Sequence, residues 1–236
     1  MIDKKRIAKN FEKRIGEYEQ NAYVQKKMAE KLTQILPSSS YKKILEIGSY
    51  SGVLTKERIK NIDFESYLAL DIVENSKDYL ENIDKKIIFK KADIEAFETN
   101  EKFDLIVSNA ALQWCSDFEG TIKKLKSFLN PKGVLAISIF SPQNLQEIRE
   151  TFNISLSYPD ENLLNKHFST ISSGEIKINF ESPLDILRHL KYTGVNSLTS
   201  TPLTFKEIKN NLNRLEAKYG NTLTYTPVYL VFQNQK

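Results

Sequence analysis

The sequence predicts an α/β fold built on an open, mostly parallel sheet, and three observations carry that expectation. An apolar run of strand type, KILEIGSYSG at Lys43 to Gly52, ends in a small-residue turn that opens into a helix-like segment. Four more strand-like runs follow, separated by stretches of helical spacing. The length of 236 residues suits one substantial core rather than two full domains. Hydrophobic residues make up 40% and charged residues 27% of the chain, a globular balance. No apolar stretch approaches the roughly 20 residues of a membrane span, and MIDKKRIAKNFEKR lacks the apolar run of a signal peptide, so a cytoplasmic protein without membrane partners is expected. Cys115 is the single cysteine, which excludes an intrachain disulfide and reads as a packed residue. His167 and His189 show none of the close spacing of a zinc site, so no metal is expected.

Taken in order, Asp3 to Leu36 draw two amphipathic helices, one with Ile7, Phe11, Ile15 and Tyr18 on a face, the next with Val24, Met28, Leu32 and Ile35. Their other faces hold nine basic side chains (Lys4, Lys5, Arg6, Lys9, Lys13, Arg14, Lys26, Lys27, Lys31) against five acidic ones, an excess equal to the +4 net charge of the whole chain. A solvated helix face is the plain reading, and a docking face for an acidic partner is the sharper one.

Pro37 and Ser38 to Ser40 end that region, and Ile44 to Ile47 form the first strand. A dinucleotide fingerprint fails here, because only Gly48 and Gly52 are present and Tyr50 stands where another glycine is expected. Glu46 at this strand end repels a phosphate but attracts an ammonium or sulfonium, so S-adenosylmethionine, with both cations and no phosphate, fits better than a dinucleotide. The plain alternative is a strand-turn-helix corner with an exposed Glu. After a helix over Val53 to Asn61, the second strand, Tyr67 to Ile72, carries Asp71, 25 positions beyond Glu46, a spacing at which a strand-end acid meets a ribose diol. A helix N-cap before Glu74 is its alternative. Ile87 to Phe89 make the third strand and lead into KADIEAF, where Asp93 is suited to accept from a base's exocyclic amine while Ile94 packs on the ring.

Phe103 to Ser108 form the fourth strand, which runs into NAALQW; small residues at Asn109 to Ala111 let backbone lie along a ligand. Gln113 and Trp114 stand at the mouth, the tryptophan either as packing or as an aromatic wall for a sulfonium. A helix over Phe118 to Leu129 and a turn at Asn130 to Gly133 precede the fifth strand, Val134 to Phe140. Ser141 to Ser182 show no further clean unit and are expected to form a lid. Pro183 to Thr193 read as a helix ended by Gly194, and Phe205 to Tyr219 as another ended near Gly220. One final strand, Leu223 to Phe232, is expected to pair antiparallel at a sheet edge.

ILEIGSYSG, LALDI, KADIEAF, DLIVSNAALQW and LNPKGVLAISIF resemble, in order and spacing, the motifs of class I S-adenosylmethionine-dependent methyltransferases, with Tyr50 departing from the family's usual glycine. The flanks NFEKRIGEYEQNAYVQ, SNAALQW and LDILRHLKYTGVN are similar to the malonyl-[acyl-carrier-protein] O-methyltransferases of biotin synthesis, and this likeness spans most of the chain. The resemblance implies a Rossmann-like, mostly parallel seven-stranded sheet with an antiparallel edge strand. It implies a single domain over 1–236, comprising an N-terminal helical cap (1–36), a cofactor-binding core (41–140), a lid and substrate segment (141–195) and a C-terminal helix with edge strands (196–236).

It further implies S-adenosyl-L-methionine as cofactor, S-adenosyl-L-homocysteine as product, and O-methylation of the free carboxyl of a malonyl thioester, which hides a charge so that fatty-acid synthesis elongates the acyl group. The partner is then the acidic acyl carrier protein, and no nucleic acid is expected. The implied cofactor contacts are Tyr18, Glu46, Gly48, Ser49, Gly52, Asp71, Ile72, Asp93, Ile94, Asn109 and Ala110. The implied catalytic set is Tyr18, which closes over the cofactor, Trp114, and an arginine for the substrate carboxylate, either Arg188 in RHLK or Arg149 in the lid. Two alternatives stand beside this reading: a methyltransferase for another small carboxylate or small molecule, and a non-catalytic module that binds the cofactor.

Overall fold

Apolar residues at helical spacing bury one side of each N-terminal helix, and three helices result, α1 (Lys4–Glu12), α2 (Ile15–Asn21) and α3 (Tyr23–Gln34). The computed structural model describes residues 3–37, 40–60, 62–154, 156–193 and 203–235. The first of the two expected helices divides at Lys13 and Arg14, where a bend lets Ile7 and Ile15 both turn inward. Asp3 caps α1 by accepting from the Arg6 N–H at 3.0 Å.

Strands and helices then alternate, except that β4 follows β3 directly: β1 (Lys43–Ile47), α4 (Val53–Ile59), β2 (Ser66–Asp71), α5 (Ser76–Glu81), β3 (Ile87–Lys91), β4 (Phe103–Asn109), α6 (Phe118–Ser127) and β5 (Leu129–Phe140). There follow α7 (Gln146–Phe152), α8 (Glu161–His167), β6 (Thr170–Ser173), β7 (Ile176–Asn179), α9 (Pro183–Tyr192), α10 (Phe205–Tyr219), β8 (Thr222–Tyr225) and β9 (Pro227–Gln233). The main sheet has seven strands in the order β3-β2-β1-β4-β5-β9-β6, parallel except for β9, which runs antiparallel to both neighbours. Successive strand residues face opposite layers: Ile44, Val134 and Ala136 pack with α3, α4, α9 and α10, whereas Leu45, Leu135 and Ile137 pack with α6 and α8. The strand order reverses between β1 and β4, and a crevice opens there at their carboxyl ends.

Other expectations change as well. The antiparallel strand β9 lies one place inside the sheet, because β6, a four-residue polar strand, covers it and forms the edge. The single final strand is two: the run breaks at Thr226, with Pro227 the first residue of β9, so β8 joins β7 in a separate two-stranded sheet while β9 enters the main one. The stretch expected as a lid is largely built into these sheets through β6 and β7, with α7, α8 and α9 packed against them. The expected C-cap at Gly194 lies outside the described residues.

Candidate active site

The crevice at the strand reversal encloses about 1110 Å³, open solvent included. Its floor is the loop from β1 to α4. Gly48 has φ +72°, and a Cβ there would stand 2.2 Å from the Ala111 Cβ, so only glycine lets the loop pass beneath the end of β4. Gly48 and Ser49 donate their backbone N–H groups to the Leu70 carbonyl at 2.8 and 3.1 Å, which ties the loop to the end of β2.

Tyr50 also adopts left-handed backbone, φ +41°, without being glycine. Three contacts hold it there. Its N–H donates to Asp71 Oδ2 at 2.8 Å, its ring stands edge-on to Tyr18 (4.7 Å) and Phe11 (5.1 Å), and its hydroxyl donates to the Phe11 carbonyl at 2.6 Å. Tyr50 thus joins the loop to the N-terminal cap. Trp114 completes the aromatic group edge-on to Phe11 at 6.3 Å.

Asp71 is buried at the end of β2, where its Oδ1 accepts from the Val73 N–H at 2.8 Å. Burial pushes its carboxyl up to about 6, against the pull of its backbone donors. Asp93, just past β3, receives Lys4 Nζ on both oxygens at 2.7 and 2.6 Å, and Lys4 also pairs with Glu95. Asp71, Ile72, Asp93, Ile94, Asn109, Ala110, Tyr18, Trp114 and Gly48 all line the crevice. Burial, with the nearby Asp71 charge, raises the Tyr18 hydroxyl, so it stays a neutral donor. Asn109 accepts from Ser138 Oγ at 2.6 Å and donates to the Gln25 carbonyl at 2.9 Å, which locks β4, β5 and α3 together at the rim.

Other expected site residues stand elsewhere. Glu46 is only 1% exposed, which also rules out the plain corner with an exposed Glu. It sits behind the loop, accepts from Thr55 Oγ1 at 2.6 Å and from the Tyr67 hydroxyl, and faces a smaller recess shared with Ser49, Gln25 and Tyr18. Burial raises its carboxyl to about 7, against the pull of Thr55 and Tyr67. Gly52 lines neither space; its φ of +78° starts α4, and a Cβ there would stand 2.5 Å from Ile83 Cδ1. Neither expected arginine lines the crevice. Arg188 has a side chain 62% exposed on α9 and pairs with Asp185 at 2.8 Å, and Arg149 donates to the Pro142 carbonyl.

In their place the crevice gains Lys4, Phe11, Gln25, Asn144, Tyr158 and Tyr225. Gln25 carries a legible signal, a polar residue inside the apolar stripe of α3; the tyrosines carry none, since distant chain segments bring them in. Gln25 Oε1 and Gln113 Oε1 are buried without partners among the described residues, two acceptors left for a polar ligand. Burial pushes the Cys115 thiol up to about 11, so it is protonated and packed near neutral pH. Among the described residues no group of three His, Cys, Asp or Glu is arranged to hold a metal, and no helix is long and apolar enough to cross a membrane.

Residues 20–191 match the methyltransferase domain family. The chain is 35% identical to the malonyl-[acyl-carrier protein] O-methyltransferase of Calditerrivibrio nitroreducens, over 96% of each protein. It is 31% identical to the enzyme of the same name from Haemophilus influenzae, over 98% of this chain and 94% of that one. Among solved structures, the N-methyltransferase NodS of Bradyrhizobium japonicum, in complex with S-adenosyl-L-homocysteine, shares the fold with a TM-score of 0.57 at 14% identity, over 98% of this chain and 99% of that one.

Proposed function

This chain belongs to the methyltransferase domain family and, within it, to the malonyl-[acyl-carrier protein] O-methyltransferases, and from that premise we propose that it methylates the free carboxyl of a malonyl group carried on acyl carrier protein, the step that starts pimeloyl synthesis for biotin. The observation that carries the reading is the crevice itself, with two carboxylates, Asp71 and Asp93, at successive strand ends beside an aromatic group and a glycine floor. Those acceptors suit the ribose diol and amino group of an adenosine and not a pyrophosphate.

S-adenosyl-L-methionine, when bound, supplies an electrophilic methyl group on a positively charged sulfur. Asp71 is suited to take the ribose diol, Asp93 the adenine amine, and Ile72 and Ile94 the faces of the base. The orphaned Gln25 Oε1 suits the ammonium of the methionine part. Glu46, Ser49 and Gly52 act from behind, shaping the loop. A malonyl carboxylate, with an acidity near that of Asp at about 3.9, is ionised near neutral pH, so its oxygen is the nucleophile without a general base. The chain's task is to orient that oxygen and exclude water, and orientation alone supplies roughly 7 to 11 kcal/mol in model reactions. Tyr18, Phe11, Tyr50 and Trp114 provide the water-poor wall.

The acidic carrier is proposed to dock on the exposed stripe of Lys5 and Lys9 on α1 and Lys13 at its C-cap, spaced four residues apart. Lys4, expected on that face, instead turns inward onto Asp93 and Glu95. Methyl-labelled cofactor offered with malonyl-carrier protein, and separately with free malonate, tests the reading. Label on the carrier-bound malonyl group is expected; label on free malonate alone, or no label, overturns it.

A further inference from the structure

Past the end of β5 the crevice continues into a wall made of Phe140, Asn144, Leu156, Tyr158, Thr193 and Tyr225. Lys4 is the one cationic side chain among the described residues lining the crevice, and it is engaged by Asp93 and Glu95 beside β3. Four strand spacings of about 4.8 Å separate β3 from β5, roughly 19 Å, so Lys4 does not reach this wall; Arg149, tied to the Pro142 carbonyl, acts on Tyr158 through its charge but does not line the crevice. Glu147, buried on α7, does not line the crevice.

The wall offers a hydroxyl instead. The Thr226 backbone N–H donates to Asn144 Oδ1 at 3.0 Å, which fixes the orientation of that amide, since an N–H only donates. Asn144 Nδ2 therefore donates to the Tyr158 hydroxyl oxygen at 3.1 Å. The oxygen accepts, so the tyrosine's own proton remains for another acceptor, and none among the described residues takes it. Phe140 stands edge-on to Tyr158 with ring centroids 6.5 Å apart and tilted against Tyr225 at 5.8 Å, while His189 Nε2 holds the Tyr225 hydroxyl at 2.8 Å. Burial pushes Tyr158 up to about 12, so its proton stays on near neutral pH.

We propose that Tyr158, aimed by Asn144, is the specificity-determining residue that donates its hydroxyl proton to the free carboxylate of the acceptor substrate. This rests on the reading of that substrate as a malonyl thioester. A phenol hydrogen bond to a carboxylate is short and charge-assisted, yet it leaves the negative charge on the nucleophilic oxygens, whereas a guanidinium would neutralise it. The methyl ester formed by the reaction carries no charge and accepts more weakly, so the same residue holds the acid and releases the product.

Trp114, the single tryptophan of the chain, lines this crevice, and its fluorescence reports binding without turnover. Malonyl-pantetheine and its methyl ester are titrated into the full chain saturated with S-adenosyl-L-homocysteine, as wild type and as Tyr158→Phe. The variant is expected to bind the acid about tenfold more weakly and the ester within about twofold, with the calorimetric affinity for S-adenosyl-L-homocysteine unchanged. Equal binding of the acid by both chains, or an equal loss for acid and ester, overturns the role of Tyr158 alone. A wild-type chain that binds no malonyl thioester overturns the substrate reading on which it rests.

Discussion

Glu46 shows how one residue's surroundings change its meaning. On sequence it is a strand-end carboxylate free to meet a cation; in the fold it is buried against Thr55 and Tyr67, and its carboxyl rises from 4.5 to about 7. Between those values the folded chain keeps a proton that the unfolded chain gives up. The stability is therefore fully present below 4.5 and is lost as pH rises toward 7. Asp71, raised from 3.8 to about 6, adds a loss in the same direction over a lower window. Glu46→Gln keeps an acceptor for both hydroxyls and removes the ionisation. It is expected to unfold about 1 to 3 kcal/mol less readily than wild type at about pH 8, with little difference at about pH 4. Denaturant melts at the two pH values check this, and an identical pH dependence in both chains counts against it. That Glu46 ends a strand was legible in KILEI; which hydroxyls surround it was not, because Tyr67 arrives from the neighbouring strand.

At the scale of elements, α1 is fastened over the crevice at both ends, by Lys4 on Asp93 and Glu95 and by the Tyr50 hydroxyl on the Phe11 carbonyl. Tyr50 thus has a use for its costly left-handed backbone: a glycine there would free the loop but release the helix. Tyr50→Phe keeps the ring contacts and removes the hydrogen bond. Amide exchange in residues 4–12 is expected to quicken about fivefold, while α10 stays unchanged as an internal reference. Unaltered protection of α1 would show that the tether does nothing. The α10 helix lies where its spacing and Gly220 placed it, and the structure adds a capping box between Thr204 and Glu207 at its start. The four-residue strands β6 and β7 were missed because so short a run, largely polar in β6, gains its hydrogen bonds only from partners far along the chain.

Across the whole molecule, the parallel strands aim their carboxyl ends at one crevice, and the N-terminal helices close it while presenting basic side chains outward. If the carrier docks on that outer stripe, replacing Lys5, Lys9 and Lys13 by Glu is expected to raise KM for malonyl-carrier protein about tenfold and to flatten its salt dependence, with kcat and cofactor affinity kept. Steady-state kinetics at low and high salt measure this, and an unchanged KM places the carrier on another face.

By itself the sequence determined the parallel half of the main sheet. Its strands and strand-end acids lie in order from Lys43 to Phe140, each fixed by periodicity within a few residues, although the turn expected at Asn130 to Gly133 lies inside β5. The tertiary structure alone decided the far wall of the crevice. The bond that orients Asn144 reaches 82 positions along the chain to Thr226, and the one that anchors α1 spans 39 positions from Tyr50 to Phe11. It also set Arg188 and Arg149 outside the crevice, since the direction a side chain takes from its helix depends on what that helix packs against.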